Sequence, residues 1–342
     1  MYQKTKSDKE RNNMSILCII FGLFGIFGGP EVSVVVADGD TGEPVEGALV
    51  EIAFPGRKTM DGIIYGGFRT RKTSAKGLCK ATGPTEFNHV DIKVEKDGYY
   101  KSSLTAHFPL DENLRILPGA SVVTVALMRV IHPIPLFVGD EPAWRPDEMF
   151  GKGTNTLEFD MMVGDYLPPV GKGLVADVVF TREPCQVLAS VTRPHWGVLY
   201  STRDQVRVHF PNPGDGIVSM PTNACSLLKI RTAPENGYKP DYLSYKIITT
   251  NDVFMSWEAD PNLCFRIRTK FDANGNVVEA NYGKIYGGLG FNHSFSYEKI
   301  KEPRVERMRF LYYVNTTSLD RNLEFDCDRN LKPKNSTLVD MP

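Results

Sequence analysis

The sequence predicts an all-β protein with two β-sandwich-like domains in tandem after an N-terminal signal segment. Short runs of alternating apolar and polar residues recur along the chain, and no stretch keeps a helical period. Thirty glycines and 23 prolines supply the frequent turns of such a fold. With 342 residues, of which 42% are hydrophobic, the chain can fill two cores. The net charge of −1 argues against a nucleic-acid partner.

Residues 1–29 are typical of a signal peptide or a short membrane anchor. Lys4, Lys6, Lys9 and Arg11 precede an apolar run from Ile16 to Phe27. That run is shorter than the roughly 20 residues that a membrane-spanning helix needs. We therefore expect an exported protein in the periplasm, at the cell surface or outside the cell. We expect this segment to be its one contact with a membrane.

The first domain is predicted at residues 30–131. It opens with two strands whose apolar residues repeat every second position and would line one face of each strand: Val32, Val34, Val36 and Ala48, Val50, Ile52, Phe54. Between them, Asp38 to Pro44 is a turn-forming stretch, so the two strands are predicted to form a hairpin. Further strands are indicated at Val90–Glu95, followed by the turn Asp97-Gly98, and at Val122–Val130.

The order strand, D-x-x-T-G-E-P-V, strand, turn with G-L, strand, K-D-G-Y-Y resembles the carboxypeptidase-regulatory-like family over about 100 residues. That family is a transthyretin-like or Ig-like β-sandwich, used as an accessory module in secreted proteins. The resemblance implies a non-catalytic sandwich for the first domain.

A linker is predicted at residues 132–152, because Pro133 and Pro135 interrupt strand pairing and the following stretch has no period. The second β-rich domain is predicted at residues 153–331, with strands around Leu157–Val163, Ala176–Phe180 and Val206–Phe210. Its clearest element is a hairpin from Phe265 to Ile285 around the turn Asn274-Gly275. Residues 332–342 are too polar to pack and are expected to form a flexible tail.

Residues 157–180, 265–287 and 320–326 are similar to an uncharacterised family of exported proteins from Verrucomicrobia-like bacteria. In that family, too, a regulatory-like domain precedes a β-rich part. The resemblance implies the architecture and brings no established activity.

Catalytic signatures are missing from the sequence. None of the six histidines has a glutamate three residues later, and neither H-E-x-x-H nor G-x-S-x-G occurs. The sequence therefore predicts a non-enzymatic envelope module without metal or cofactor, whose partner is a glycan or an envelope protein. Two alternatives stay open: a glycan hydrolase using paired carboxylates such as Glu158 and Asp160, and a carrier of a small ligand.

Two groups of residues are candidates for binding. Arg266, Arg268 and Lys270 alternate along one strand and would form a cationic ladder for an acidic glycan or a partner's carboxylates; a solvated strand face is the favoured alternative. Asp320, Asn322 and Glu324 lie in a segment that repeats D-R-N-L and would offer oxygen ligands to Ca²⁺. There we favour a docked segment with Leu323 and Phe325 buried.

Five cysteines follow the signal segment: Cys79, Cys185, Cys225, Cys264 and Cys327. They are widely spaced, and their odd number leaves at least one thiol unpaired. Buried thiols are the favoured interpretation, and one or two disulfides stay open.

Overall fold

The computed structural model describes residues 29–59, 62–85, 87–112, 116, 120–140, 156–183, 186–193, 197–220, 226–248, 255–256, 262–293 and 305–332. Throughout these ranges the regular structure consists of β-strands, and no helix occurs in them. The all-β prediction is confirmed. The predicted signal segment lies outside the described residues.

The chain divides into two compact units. Among the described residues, the first unit takes 29–131 and 226–227, and the second takes 132–220 and 228–332.

The first unit is a two-layer β-sandwich. Its strands are β1 (Glu31–Asp38), β2 (Leu49–Thr59), β3 (Gly62–Lys72), β4 (Leu78–Thr82), β5 (His89–Glu95), β6 (Ser102–His107) and β7 (Ala120–Leu127). One sheet has the order β4-β1-β7 and the other β3-β2-β5-β6. The apolar faces predicted for β1, β2 and β5 are buried in one core together with residues of β4 and β7.

The predicted opening hairpin is wrong, because β1 and β2 belong to different sheets. After β1 the chain turns back on that strand, where the Val45 amide donates to the Val36 carbonyl at 3.0 Å. It then crosses to the second layer. Alternation assigned the correct buried face to each strand, but it carries no information about which strand is the pairing partner.

Asp38 fixes this crossing turn. Its carboxylate is buried and accepts hydrogen bonds from the amides of Asp40 and Thr41, the Tyr99 hydroxyl and the Arg129 guanidinium. Burial alone would raise the pKa of Asp38, but the hydrogen bonds from Arg129, the two amides and Tyr99 outweigh it and lower the pKa to about 2. The turn therefore has an ionised carboxylate at its centre at neutral pH.

The second unit is a larger sandwich. Its strands are β8 (Ile134–Asp140), β9 (Thr156–Asp160), β10 (Asp165–Tyr166), β11 (Val178–Arg182), β12 (Gln186–Arg193), β13 (Gly197–His209), β14 (Gly216–Met220), β15 (Asp241–Ile248), β16 (Met255–Ser256), β17 (Asn262–Phe271), β18 (Val277–His293), β19 (Val305–Asn315) and β20 (Phe325–Asn330). One sheet has the order β10-β9-β11-β13-β15-β16, with β12 paired to β13. The other has the order β14-β17-β18-β19-β8-β20.

The six-stranded sheet is buried on both faces. One face packs against the seven-stranded sheet around aromatic residues such as Phe159, Phe265 and Phe310. The opposite face is covered by two further apolar clusters, which contain Ile230 and Leu323 in one and Phe325 in the other. Where the central strands of this sheet lie beneath these clusters, a polar side chain must find a partner inside the protein.

The linker predicted at residues 132–152 is wrong in part, because Ile134–Asp140 forms β8, which lies between β19 and the edge strand β20 of the six-stranded sheet. The regular pairing of β8 with β19 runs only from Phe137 to Asp140, so it does not include Pro133 or Pro135. Prolines are tolerated at the start of a strand, where no ladder N–H is required of them. The rest of the predicted linker, residues 141–152, lies outside the described residues.

The predicted hairpin at residues 265–285 is confirmed. β17 and β18 pair in antiparallel fashion, and Gly275 in the turn has a positive φ of 83°. The Asp272 carboxylate accepts the amides of Asn274 and Asn276 and closes the turn.

Candidate functional site

A cluster of charges, formed by the partly exposed Arg268 and two buried carboxylates, joins the two sheets of the second unit. Arg268 on β17 donates from Nη2 to Asp160 at 2.8 Å and to Asp177 at 3.1 Å, and from Nε to Asp177 at 2.9 Å. Asp160 ends β9 and Asp177 precedes β11, and both carboxylates are buried. The guanidinium therefore connects β17 of one sheet to β9 and β11 of the other.

The acids of this Arg268 cluster, Asp160, Asp177 and the nearby Asp215, also bind the backbone. Asp160 accepts four amide N–H groups from the turn after β9 and from the loop before β11. Asp215 accepts the amides of Arg268 and Thr269 at 2.7 and 2.8 Å. Because the carboxylate oxygens of Asp160 all have internal donors, the cluster is built as a structural joint.

The pKa shifts of Asp177 and Arg268 agree with a structural role for the cluster. Burial raises the pKa of Asp177, and the hydrogen bonds and positive charge of Arg268 oppose this rise. Burial alone would lower the pKa of Arg268, but its pairing with Asp177 and Asp160 raises it above the ordinary value. Arg268 is therefore charged at any physiological pH and compensates the buried acids.

The three cations of the expected ladder point to three different places. Arg266 donates from Nε to the Gly214 carbonyl at 2.9 Å and stacks 4.8 Å from the centre of the Tyr238 ring. Lys270 is exposed and pairs with Glu279 at 2.8 Å. With Arg268 in its cluster, only Lys270 is left on the exposed face. Binding of an acidic ligand there stays a prediction.

A backbone irregularity at Arg268 disrupts the regular alternation that was expected to align the three cations. Arg268 has a φ of +56°, which is unusual for a residue with a side chain, and the register with β18 shifts between Ile267 and Lys270. Such a bulge re-aims a side chain, so simple alternation no longer describes residues 266–270.

The segment that holds Asp320, Asn322 and Glu324 is docked on the unit. Leu323 and Phe325 are buried, as favoured from the sequence. Glu324 is buried as well, accepts the His132 amide at 3.0 Å and lies 3.6 Å from Arg231. Asn322 donates to the His132 carbonyl at 2.8 Å. These polar side chains therefore bind the unit's own backbone at the entrance to β8.

Lys284 is a further buried ionisable residue, and it was not among the sequence-based candidates. It lies on β18 with 1% of its surface exposed, and its Nζ donates to the Leu323 carbonyl at 2.7 Å and to the Ile230 carbonyl at 3.3 Å. Its Nζ also lies 4.8 Å from the centre of the Tyr313 ring. Lys284 thus holds two loop segments against the outer face of the six-stranded sheet.

Burial lowers the pKa of Lys284 to about 7, and the acidic groups of Cys264, Cys327 and Glu324 counteract this only in part. In the unfolded chain the lysine returns to its ordinary pKa of 10.5. Between these two values the unfolded state binds more protons than the folded state. Stability is therefore expected to rise with pH through this window.

We expect the Lys284→Met variant to lose this rise. Denaturant titrations between about pH 7 and 8.5 should give a free energy of unfolding that rises with pH more steeply for the wild type, by roughly 1 kcal/mol per pH unit. The comparison of slopes is independent of any constant loss caused by the two abandoned carbonyls. Parallel pH dependences of wild type and variant would contradict the assignment of a buried, titrating amine.

One signal in the sequence points to Lys284. Ala280 and Tyr282 occupy the same face of β18 and are buried, while Ile285 is buried on the opposite face. A strand with apolar residues on both faces is buried on both. For Asp160, Asp177 and Asp215 no comparable pattern exists, because acidic residues next to turns are common.

Within the described ranges, no group of three or more His, Cys, Asp or Glu residues is arranged to hold a metal ion. A search of the same residues for a helix with the length and apolarity to cross a membrane found none. Cys79 and Cys264 are buried free thiols, and Cys327 is exposed. Cys185 and Cys225 lie outside the described residues.

Comparisons with known proteins give little about function. No protein-family model matches the chain, and no curated protein matches it. Among solved structures, a double mutant of the shaft pilin SpaA from Lactobacillus rhamnosus GG is similar with a TM-score of 0.21 and 8% identity, over 77% of this chain and 94% of that chain. A Bacteroides fragilis protein described as membrane-associated and of unknown function gives a TM-score of 0.19 and 12% identity, over 85% and 94%. Scores this low carry no argument about function.

Proposed function

We propose that the protein is a non-enzymatic structural module that is exported to the cell envelope. One observation carries this proposal: among the described residues, several charged side chains that were candidates for catalysis or binding, such as Asp160, Arg268 and Glu324, instead bind other groups of the second unit. Arg268 compensates Asp160 and Asp177, and Lys284 and Glu324 fasten loop segments to the sheet. A hydrolase would instead keep its carboxylates facing a substrate cleft.

Export rests on the sequence of residues 1–29, with its basic residues ahead of an apolar run. A C-terminally tagged protein should fractionate with the envelope or appear outside the cell. The matched control lacks residues 1–29 and should stay in the cytoplasm. Equal distribution of the two forms would contradict export.

The non-enzymatic part is tested with a panel of neutral and acidic polysaccharides. Incubation with the purified protein should release no new reducing ends or shorter products, whereas binding without turnover is compatible with a structural role. Turnover of any polysaccharide that is lost on replacing Glu158 by Gln would overturn the proposal in favour of a glycan hydrolase. Glu158 is the suitable probe because it lies on β9 outside the Arg268 cluster.

A further inference from the structure

The first and last strands of each unit lie side by side and run parallel. In the first unit β1 pairs with β7 over its whole length, from Glu31 opposite Ala120 to Asp38 opposite Leu127. In the second unit β8 pairs with β20, with Ile134 opposite Phe325 and Leu136 opposite Asn330. This arrangement decides how a unit responds when its ends are pulled.

A force that pulls the two ends of a unit apart acts on the N-terminal end of its first strand and on the C-terminal end of its last strand. In a parallel pair these points lie at opposite ends of the ladder. The strands must then slide past each other, so that the inter-strand hydrogen bonds are loaded together. If both points lay at the same end, the bonds would break one after another. Forced unfolding is governed by the unfolding rate, so simultaneous loading slows it.

We propose that each unit is a tension-bearing clamp, and that the protein carries mechanical load along its chain. The inference deepens the structural role proposed above and rests on it. The load is a tensile force that pulls the two ends of a unit apart.

Contacts beyond the ladder reinforce the clamp of the first unit. On its other edge β1 pairs with β4, from Glu31 opposite Thr82 to Val35 opposite Leu78. Directly after β1, the Gly39 amide donates to the carbonyl of Leu127, the last residue of β7, at 2.8 Å. The Arg129 guanidinium pairs there with the buried carboxylate of Asp38. This ion pair ties the segment that follows β7 to the last residue of β1.

In the second unit, side chains supplement an irregular ladder. The Ile134 amide donates to the Glu324 carbonyl at 2.8 Å, and the Leu331 amide donates to the Leu136 carbonyl at 3.0 Å. Further along β8, the Val138 amide donates to the Asn330 side chain at 3.1 Å. Together with the bonds of Glu324 and Asn322 to His132, they connect β8 to the C-terminal segment along its length.

The test is single-molecule force spectroscopy on the full chain in two pulling geometries. Handles are attached through an azide-bearing amino acid introduced at chosen positions, which leaves the native cysteines untouched. For the first unit, positions 30 and 131 pull the parallel pair in shear, and positions 40 and 131 pull it from one end. For the second unit, positions 132 and 332 give shear, and positions 140 and 332 pull from one end. Positions 30, 40, 131, 132 and 332 belong to no buried core cluster.

We expect the shear geometry to raise the rupture force about twofold over the other geometry in each unit, because the unfolding rate under load is then slower. Equal rupture forces in the two geometries would overturn the proposal. An envelope protein that turns over no polysaccharide but shows equal forces would contradict the clamp alone. Polysaccharide turnover would contradict the structural role whatever the forces are.

Discussion

Replacement of Arg268 by methionine is expected to lower the free energy of unfolding of the second unit by roughly 3 to 5 kcal/mol, the usual cost of leaving buried charges without their partner. The variant keeps much of the aliphatic packing but leaves Asp160 and Asp177 without a counter-charge between the two sheets. Chemical denaturation followed by circular dichroism measures the loss.

The matched control is Lys270→Met, two residues further along the same strand. Lys270 and Glu279 form an ion pair in which both side chains are largely exposed, so its loss should cost less than about 1 kcal/mol. If Arg268→Met costs no more than Lys270→Met, the cluster is not a joint between the sheets.

The deficit of the Arg268→Met variant should shrink in mild acid. Burial already raises the pKa of Asp177, and removing Arg268 takes away the charge that opposes this rise. An acid whose folded-state pKa is raised binds more protons when folded, so lowering the pH through that range favours the folded state. Replacing Asp160 and Asp177 by asparagine in the same variant should likewise restore part of the stability, because no uncompensated charge is then buried.

Strand positions and buried faces could be predicted from the sequence, since alternation is a local property. Val32, Val34 and Val36 are buried together as expected, and the hairpin around Asn274-Gly275 forms. Pairing partners could not be predicted, because alternation fixes a face without choosing a neighbour. For that reason the sequence predicts that β1 and β2 pair, although they lie in different sheets.

The internal pairing of the charged residues could not be predicted, because it depends on contacts between residues that are far apart in the sequence. Arg268 leaves the predicted ladder through a bulge and a positive φ. Its partner Asp160 is more than 100 residues away in sequence. Pro133 and Pro135 indicate a linker, but a strand, β8, forms there, and its pairing with β19 begins only after both prolines. The sequence therefore marks Arg268 and the two prolines as unusual, but the contacts around them depend on the fold.

Truncation of the chain after Leu319 is expected to destabilise the second unit by on the order of 5 kcal/mol or more, since it deletes two large buried side chains. Leu323 and Phe325 are fully buried, and Phe325 packs edge-on against Tyr313 with ring centres 5.4 Å apart. The same cut removes β20, and with it the partner of β8 at the edge of the six-stranded sheet. It also deprives Lys284 of its 2.7 Å hydrogen bond to the Leu323 carbonyl.

Truncation after Pro333 is the control and should leave the melting temperature unchanged, because the residues beyond it offer little apolar surface to bury. The single variant Phe325→Ala separates packing from strand pairing, since it keeps the backbone of β20 and should cost about 3 to 5 kcal/mol. Equal melting of both truncations would mean that residues 320–333 contribute nothing to the stability of the second unit. It would then favour the other interpretation of Asp320, Asn322 and Glu324, as a detachable binding motif.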